Sequence, residues 1–366
     1  MKIIIVSLFL IFICEAYSQK FAFIGDQRGA TTATQQVSAL IDSWNPELIV
    51  TSGDNFDLTQ GTVDEQVGMF FHNYIYPYIG NFGDGDTVNR FFPTLGNHDL
   101  IGNGLDEYLS YFTLPGNERY YDFVNGNVHF YLINSNPNEI DGTDLQSIQA
   151  QWLQNNLLVA TEQWKIICFH HSPYSSSIHG NNSWMDWPFQ EWGATAVFAG
   201  HDHVYERIMK NNFPYFINGA GGANLYNFNT PIEGSIVRYN ANYGAQLINA
   251  YSDSIVFKFI NINNEQIDSF TIIKQIETSS SYKSINNNIL EVIKDGNFRY
   301  VKYSLDYNSD ISIKIFNLFG KLIQEVIYFK KNKGVYIEKI IPQAKESVYI
   351  ICLSINNKVI VSKKIF

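Results

Sequence analysis

The sequence predicts an α/β domain followed by a small β-sandwich. Up to about residue 200, short apolar runs alternate with helix-period patterns, as βα units do. In the last ninety or so residues only alternating strands and turns remain. The charge changes sign at the same place. Residues 277–366 hold 14 Lys and Arg against 8 Asp and Glu, whereas residues 1–276 hold 11 against 27. Such a shift marks a domain boundary, and Ser279-Ser280-Ser281-Tyr282 reads as a polar linker. The expected division is a leader over 1–18, a first domain over 19–276, a linker over 277–284 and a second domain over 285–366.

The leader has the form of a signal peptide. Lys2 gives a positive start, the apolar run over 3–14 is too short to span a bilayer comfortably, and Ala16-Tyr17-Ser18 offers small residues for cleavage. No later stretch is long and apolar enough to cross a membrane, so a secreted or cell-surface protein is expected. Cys14 leaves with the leader. Cys168 and Cys352 lie far apart, and two cysteines do not make a disulfide scaffold; both are expected to be buried and inert. The formal net charge of −10 argues against a nucleic-acid binder. It does not exclude an anionic substrate, because bound metal ions reverse the sign locally.

Within the first domain, strands are predicted over 20–25, 47–52, 92–95, 129–134, 165–169 and 196–199, and helices over 31–44, 64–79 and 144–160. In the last helix Leu145, Ile148 and Trp152 recur at helical spacing, and Leu153 and Leu157 extend a stripe read as core. Residues 213–275 read as further strands, with turns at Gly219-Ala220-Gly221-Gly222 and Asn263-Asn264. In the second domain residues 312–316 alternate, Asn317-Leu318-Phe319-Gly320-Lys321 turns, Gly334-Val335-Tyr336-Ile337 opens a strand and residues 359–366 close the chain.

The strands of the first domain run repeatedly into residues able to bind metal: Asp26, then Asp54-Asn55, Asn97-His98, His170-His171 and His201-Asp202-His203. Sites in open α/β sheets form beyond the carboxyl ends of strands, so these residues are expected to meet at one edge. Gly25, Gly53, Gly96 and Gly200 precede them, and glycine lets the backbone turn sharply and approach an ion. Carboxylate, amide oxygen and imidazole together suit zinc, manganese or iron rather than calcium or a thiolate site. A single Gly-Asp pair means little; four such motifs in order, each after an apolar run, seldom arise by chance.

In this order Gly25-Asp26, Gly53-Asp54-Asn55, Gly96-Asn97-His98-Asp99, a His after a strand and Gly200-His201-Asp202-His203 resemble the calcineurin-like metallophosphoesterases. Gly53-Asp54-Asn55-Phe56 is similar to the tartrate-resistant purple acid phosphatases. The likeness covers residues 20–275 and implies a four-layer αββα sandwich. It implies that Asp26 and His203 hold one metal ion, Asp54 bridges, and Asn97, His170 and His201 hold a second, the ions being iron, zinc or manganese. His98 would face the substrate phosphate or leaving group. His170 and His171 compete for one role. The family's second active-site histidine follows the ligand by nine residues and precedes a glycine, and His179-Gly180 stands nine after His170. This favours His170 as ligand and makes His179 a substrate-side candidate. The pattern departs from the purple enzymes at Asp57, where they carry the tyrosine that gives their colour, and at Arg28, where other branches have a histidine. A colourless protein is expected, with Asp57 open as a replacement ligand and Arg28 open as a phosphate contact or a surface ion pair.

The resemblance implies hydrolysis of a small phosphate monoester by attack of a metal-bound water. A phosphodiesterase or nucleotidase on the same centre is the alternative, and a non-catalytic surface binding protein a third reading. Ser172 and Ser175 near His170 show no triad pattern, which argues against a serine hydrolase. Residues 285–366 resemble the C-terminal sorting domains of the type IX secretion system, in Ile315-Phe316-Asn317-Leu318-Phe319-Gly320-Lys321, Gly334-Val335-Tyr336 and Val361-Ser362-Lys363-Lys364. The implied partner is outer-membrane secretion machinery. An accessory β-sandwich that binds carbohydrate or packs on the enzyme is the alternative.

Overall fold

The structure, a computed structural model, describes residues 18–273, 290–295, 298–305, 308–317, 322–340, 349–355 and 358–365. The expected cleavage region before Ser18 and the expected linker lie outside the described residues. The chain divides into two units, Met1–Ile276 and Glu277–Phe366.

The first unit holds thirteen strands in chain order: β1 (Gln19–Ile24), β2 (Leu48–Thr51), β3 (Phe91–Phe92), β4 (Tyr121–Asn125), β5 (Val128–Leu132), β6 (Trp164–His171), β7 (Ala196–Gly200), β8 (Tyr205–Lys210), β9 (Phe213–Asn218), β10 (Ser235–Tyr239), β11 (Gly244–Ala250), β12 (Ser254–Asn261) and β13 (Gln266–Ile273). They form a six-stranded sheet, β13-β12-β11-β1-β2-β3, and a seven-stranded sheet, β10-β8-β9-β7-β6-β5-β4. β1, β2 and β3 run parallel in the first sheet, and β5, β6, β7 and β9 in the second. Their carboxyl ends therefore open on common rims.

Side chains alternate along each strand and so sort the core into layers. Phe21 and Phe23 of β1 meet Phe130 and Phe198 of the other sheet at 5.1 and 4.4 Å between ring centroids, which closes one sheet on the other. On β6 and β7, Ile167, Phe169, Val197 and Ala199 face the opposite way, into a second core with Leu153 and Leu157 of the helix Ile148–Val159. The helix Thr32–Trp44 buries Val37 and Ile41 beside β11 on the outside of the six-stranded sheet. The result is the expected αββα sandwich.

Local chemistry sets the helix limits. Thr31 caps the first helix by accepting the Thr34 N–H, and Asn45 ends it in the left-handed region. Ser147 caps the third predicted helix by accepting the Ala150 N–H, so that helix starts at Ile148 rather than 144. Its buried face is Ala150, Leu153 and Leu157, while Leu145 and Ile148 are exposed; the stripe read as core is shifted by the later start. The helix expected over 64–79 is broken into short π, α and 3-10 turns that end at Tyr74, because Pro77 excludes a continuing helix. The strand expected over 92–95 is only Phe91–Phe92, and the helix Gly104–Tyr111 was not anticipated.

The second unit is a β-sandwich of three and four strands: β14 (Leu290–Asp295), β15 (Phe298–Leu305), β16 (Ser309–Asn317), β17 (Leu322–Lys331), β18 (Gly334–Ile340), β19 (Tyr349–Ile355) and β20 (Lys358–Ile365). Alternate residues Ile311, Ile313 and Ile315 of one sheet share a core with Val301, Tyr303 and Leu305 of the other. The turn expected over 317–321 lies largely outside the described residues. Cys168 and Cys352 are free and buried, and burial pushes both thiols up, away from the reactive thiolate. Among the described residues no helix is long and apolar enough to cross a membrane.

Candidate metal centre

Asp26, Asp54 and Asn97-His98 follow β1, β2 and β3 of one sheet, while His170 and His171 end β6 and His201 and His203 follow β7 of the other. The site thus joins the rims of two sheets, where the sequence suggested one edge. Its backbone is under tension. Asp26, Asp54 and His201 adopt φ of 57°, 53° and 70°, a region that non-glycine residues rarely occupy. Strain of this kind gathers at functional sites. The glycines before the ligands are needed for space. A Cβ on Gly96 would lie 2.2 Å from Asp54 N and Asp54 Oδ1, and Gly53 has φ 90° with the Gly96 backbone against it.

Two clusters result. Asp26, Asp54 and His203 bring one carboxylate oxygen or ring nitrogen each to within 4.8 Å of one another, and so do His170, His171 and His201. His203 Nε2 lies 3.3 Å from Asp26 Oδ1, and His203 Nδ1 donates to the Asn224 carbonyl at 2.8 Å. His170 Nδ1 likewise donates to the Ser52 carbonyl at 2.8 Å. These second bonds fix the tautomers and leave both Nε2 lone pairs facing the site. Around His170 Nε2 stand Asn97 Oδ1 at 3.1 Å, His201 Nδ1 at 3.2 Å and Asp54 Oδ1 at 3.4 Å. An amide oxygen, a ring nitrogen and a carboxylate oxygen, all possible metal ligands, thus converge on one ring nitrogen. Asp26 Oδ1 is fully buried and has no hydrogen-bond partner. Such groups are costly to bury unless a cation satisfies them, so the residues present fit metal ions. Carboxylate, amide and imidazole donors suit the zinc, manganese and iron class.

The charges respond to the crowding. Burial opposes ionisation of Asp54, but His170, His98, the His98 N–H and Arg28 outweigh it and hold the carboxyl below the ordinary range. Burial, then His170 and the other histidines, drives His201 down. Burial and then His170 push His171 down to about 3. His203 is desolvated, yet Asp26 beside it raises its pKa.

The other predicted residues fall around this core. His98 is half-buried, with Nε2 3.9 Å from Asp54 Oδ2 and Nδ1 2.8 Å from Asp57 Oδ2. Asp57 also accepts from Thr59 and Gln60, so its two oxygens are engaged and it belongs to neither cluster. Arg28 Nε sits 3.3 Å from Asp54 Oδ2. His179 is exposed, with its ring 4.1 Å from that of His201 and its N–H on Asp202.

Sequence reasoning missed several supports. Asp99 is fully buried and accepts from the N–H groups of Gly96, Asn55 and Phe56 and from the Asn55 side chain, tying two motif loops together. Ser135 binds the N–H groups of both His170 and His171. Tyr226 stacks on His203 at 4.0 Å. Ser135 had a signal, since β5 too runs into a polar stretch, Asn134-Ser135-Asn136. Tyr226 had none, because it follows no strand end.

The fold and the site describe a metallophosphoesterase sandwich. The family model described as calcineurin-like phosphoesterase matches residues 19–205, just over half of the chain, and the chain belongs to that family. It is 27% identical over 225 residues to purple acid phosphatase 15 of Arabidopsis thaliana, covering 53% of this chain and 41% of that protein. It is 24% identical over 243 residues to tartrate-resistant acid phosphatase type 5 of Oryctolagus cuniculus, covering 55% and 72%. The chain thus spans less than half the length of the first relative. Among solved structures, the purple acid phosphatase PPD1 of yellow lupin seeds shares the fold with a TM-score of 0.58 at 17% identity, over 71% of this chain and 54% of that one. Family membership and the Asp and His clusters together imply a pair of metal ions as cofactor.

Proposed function

We propose that this chain is an exported phosphatase that hydrolyses small phosphate monoesters with two metal ions, one held by Asp26 and His203, the other by Asn97, His170 and His201, with Asp54 between them. The observation that supports this reading most is the convergence of Asn97 Oδ1, His201 Nδ1 and Asp54 Oδ1 on His170 Nε2 beside the buried Asp26 Oδ1, which has no hydrogen-bond partner. When bound, the metal ions would supply positive charge for the phosphate and activate a water as nucleophile. The protein's own contribution is proton handling and orientation. His98 presents Nε2 toward the centre, with Asp57 fixing Nδ1, so it can hold a proton for the departing oxygen. His179, exposed with its ring 4.1 Å from that of His201, would meet the ester group. Arg28, paired with Asp54, adds a fixed cation at the mouth. The test compares p-nitrophenyl phosphate with bis-p-nitrophenyl phosphate, using Asp54→Asn as control. Faster turnover of the diester would reject the monoesterase reading.

We also propose that residues 1–18 direct export and that residues 285–366 engage outer-membrane secretion machinery of type IX. The β-sandwich of the second unit and its motif likeness support this. Deleting residues 285–366 in a host with that machinery should trap the enzyme in the periplasm, and undiminished release would refute the role.

A further inference from the structure

β6 and β7 lose register between Cys168 and His171, and the irregularity lets two consecutive histidines face one cleft. His170 has its place among the acceptors described above. His171 is 95% buried by its 5% exposure, and its ring lies 4.5 Å from that of His201. Its Nδ1 is 2.9 Å from Ser135 Oγ. That hydroxyl already accepts the N–H groups of His170 at 3.2 Å and His171 at 2.9 Å. With its acceptor capacity used, its own hydrogen goes to His171 Nδ1. His171 then carries its ring hydrogen on Nε2, for which no protein partner is recorded among the described residues. A nitrogen bearing hydrogen cannot ligate a metal, but it can donate. Trp184 closes the outer side, 5.7 Å from the His171 ring, and its indole N–H binds the Ser135 carbonyl at 3.0 Å. Ser135 thus fixes both rings.

We propose that His171 is a substrate-binding residue whose Nε2–H donates a hydrogen bond to a phosphate oxygen, with Ser135 as the residue that sets its tautomer. The class of ligand, a phosphate ester or free phosphate, rests on the function proposed above; the tautomer rests on the Ser135 contacts alone.

The experiment uses the full chain as purified, with inorganic phosphate as probe in titration calorimetry, metal content by mass spectrometry, and KM and kcat on p-nitrophenyl phosphate. His171→Phe should weaken phosphate binding and raise KM roughly 10- to 150-fold, the span of one hydrogen bond to a charged group, with metal content unchanged. His171→Gln, which keeps a donor, should recover most of that loss. Metal lost from both variants would make His171 a ligand and overturn the proposal, as would phosphate affinity unchanged in His171→Phe. A wild-type chain that binds phosphate without turnover would reject the proposed function, while the calorimetric comparison would still decide the role of His171.

Discussion

Replacing Asp57 by Asn isolates the pair that the departure from the purple enzymes created. Asn has the same shape and can keep the contact to Thr59, so the loop should hold. What goes is the charged acceptor 2.8 Å from His98 Nδ1. A hydrogen bond to a charged group contributes about 1.5–3 kcal/mol. If that support is used while His98 serves the leaving oxygen, kcat should fall about 10- to 150-fold, with KM changed little and metal content intact. Steady-state kinetics on p-nitrophenyl phosphate and metal analysis read both. A kcat within twofold of wild type would show that the pair plays no part in turnover. Loss of metal would instead make Asp57 a ligand, against its engagement by Thr59, Gln60 and His98.

Three further outcomes follow from the packing and the charges. Gly96→Ala should strip metal and abolish turnover, because its methyl would sit 2.2 Å from Asp54 Oδ1, and normal metal content would contradict the close approach. Phe198→Ala should cost about 3–5 kcal/mol in a urea melt, since Phe198 touches Phe23, Phe216 and Phe257 between the sheets; a loss under about 1 kcal/mol would contradict its place in the core. For the metal-free chain, His171 and His201 titrate lower in the fold than their unfolded value of about 6.5. Between about 6.5 and the folded values the unfolded chain binds more protons, so stability should fall as pH falls, by up to about 1.4 kcal/mol per unit for each group. His203, raised by Asp26, works in the opposite sense. Urea midpoints from pH 6.5 to 5 should therefore drop less steeply in His171→Gln than in wild type, and equal slopes would count against this.

Most of the first unit was legible because period and chemistry agreed. Apolar runs ending in Gly-Asp or Gly-His gave β1, β2 and β7 together with Asp26, Asp54 and His201. What stayed hidden is what one strand's pattern cannot encode. That β3 and β6 belong to different sheets depends on pairing between distant segments, and so does the meeting of Asn97 with His170. The stop at Tyr74 follows from Pro77 just beyond it, although the helix period of residues 64–79 suggests no end there. From sequence alone the Asp57 carboxylate could face a metal or a side chain, and its hydrogen bonds with Thr59, Gln60 and His98 come from a local turn and a distant loop that no strand pattern encodes. His171 shows a further limit, since strand alternation would turn it away from His170 and the register shift undoes that.

Asp54 is proposed to join two cation sites, and metal analysis of the purified chain tests this most directly. Wild type should carry two ions per chain, and Asp54→Asn should carry one or fewer while its circular dichroism stays native. Full metal content in that variant, or a wild-type chain that takes up no iron, zinc or manganese when these are supplied, would contradict it.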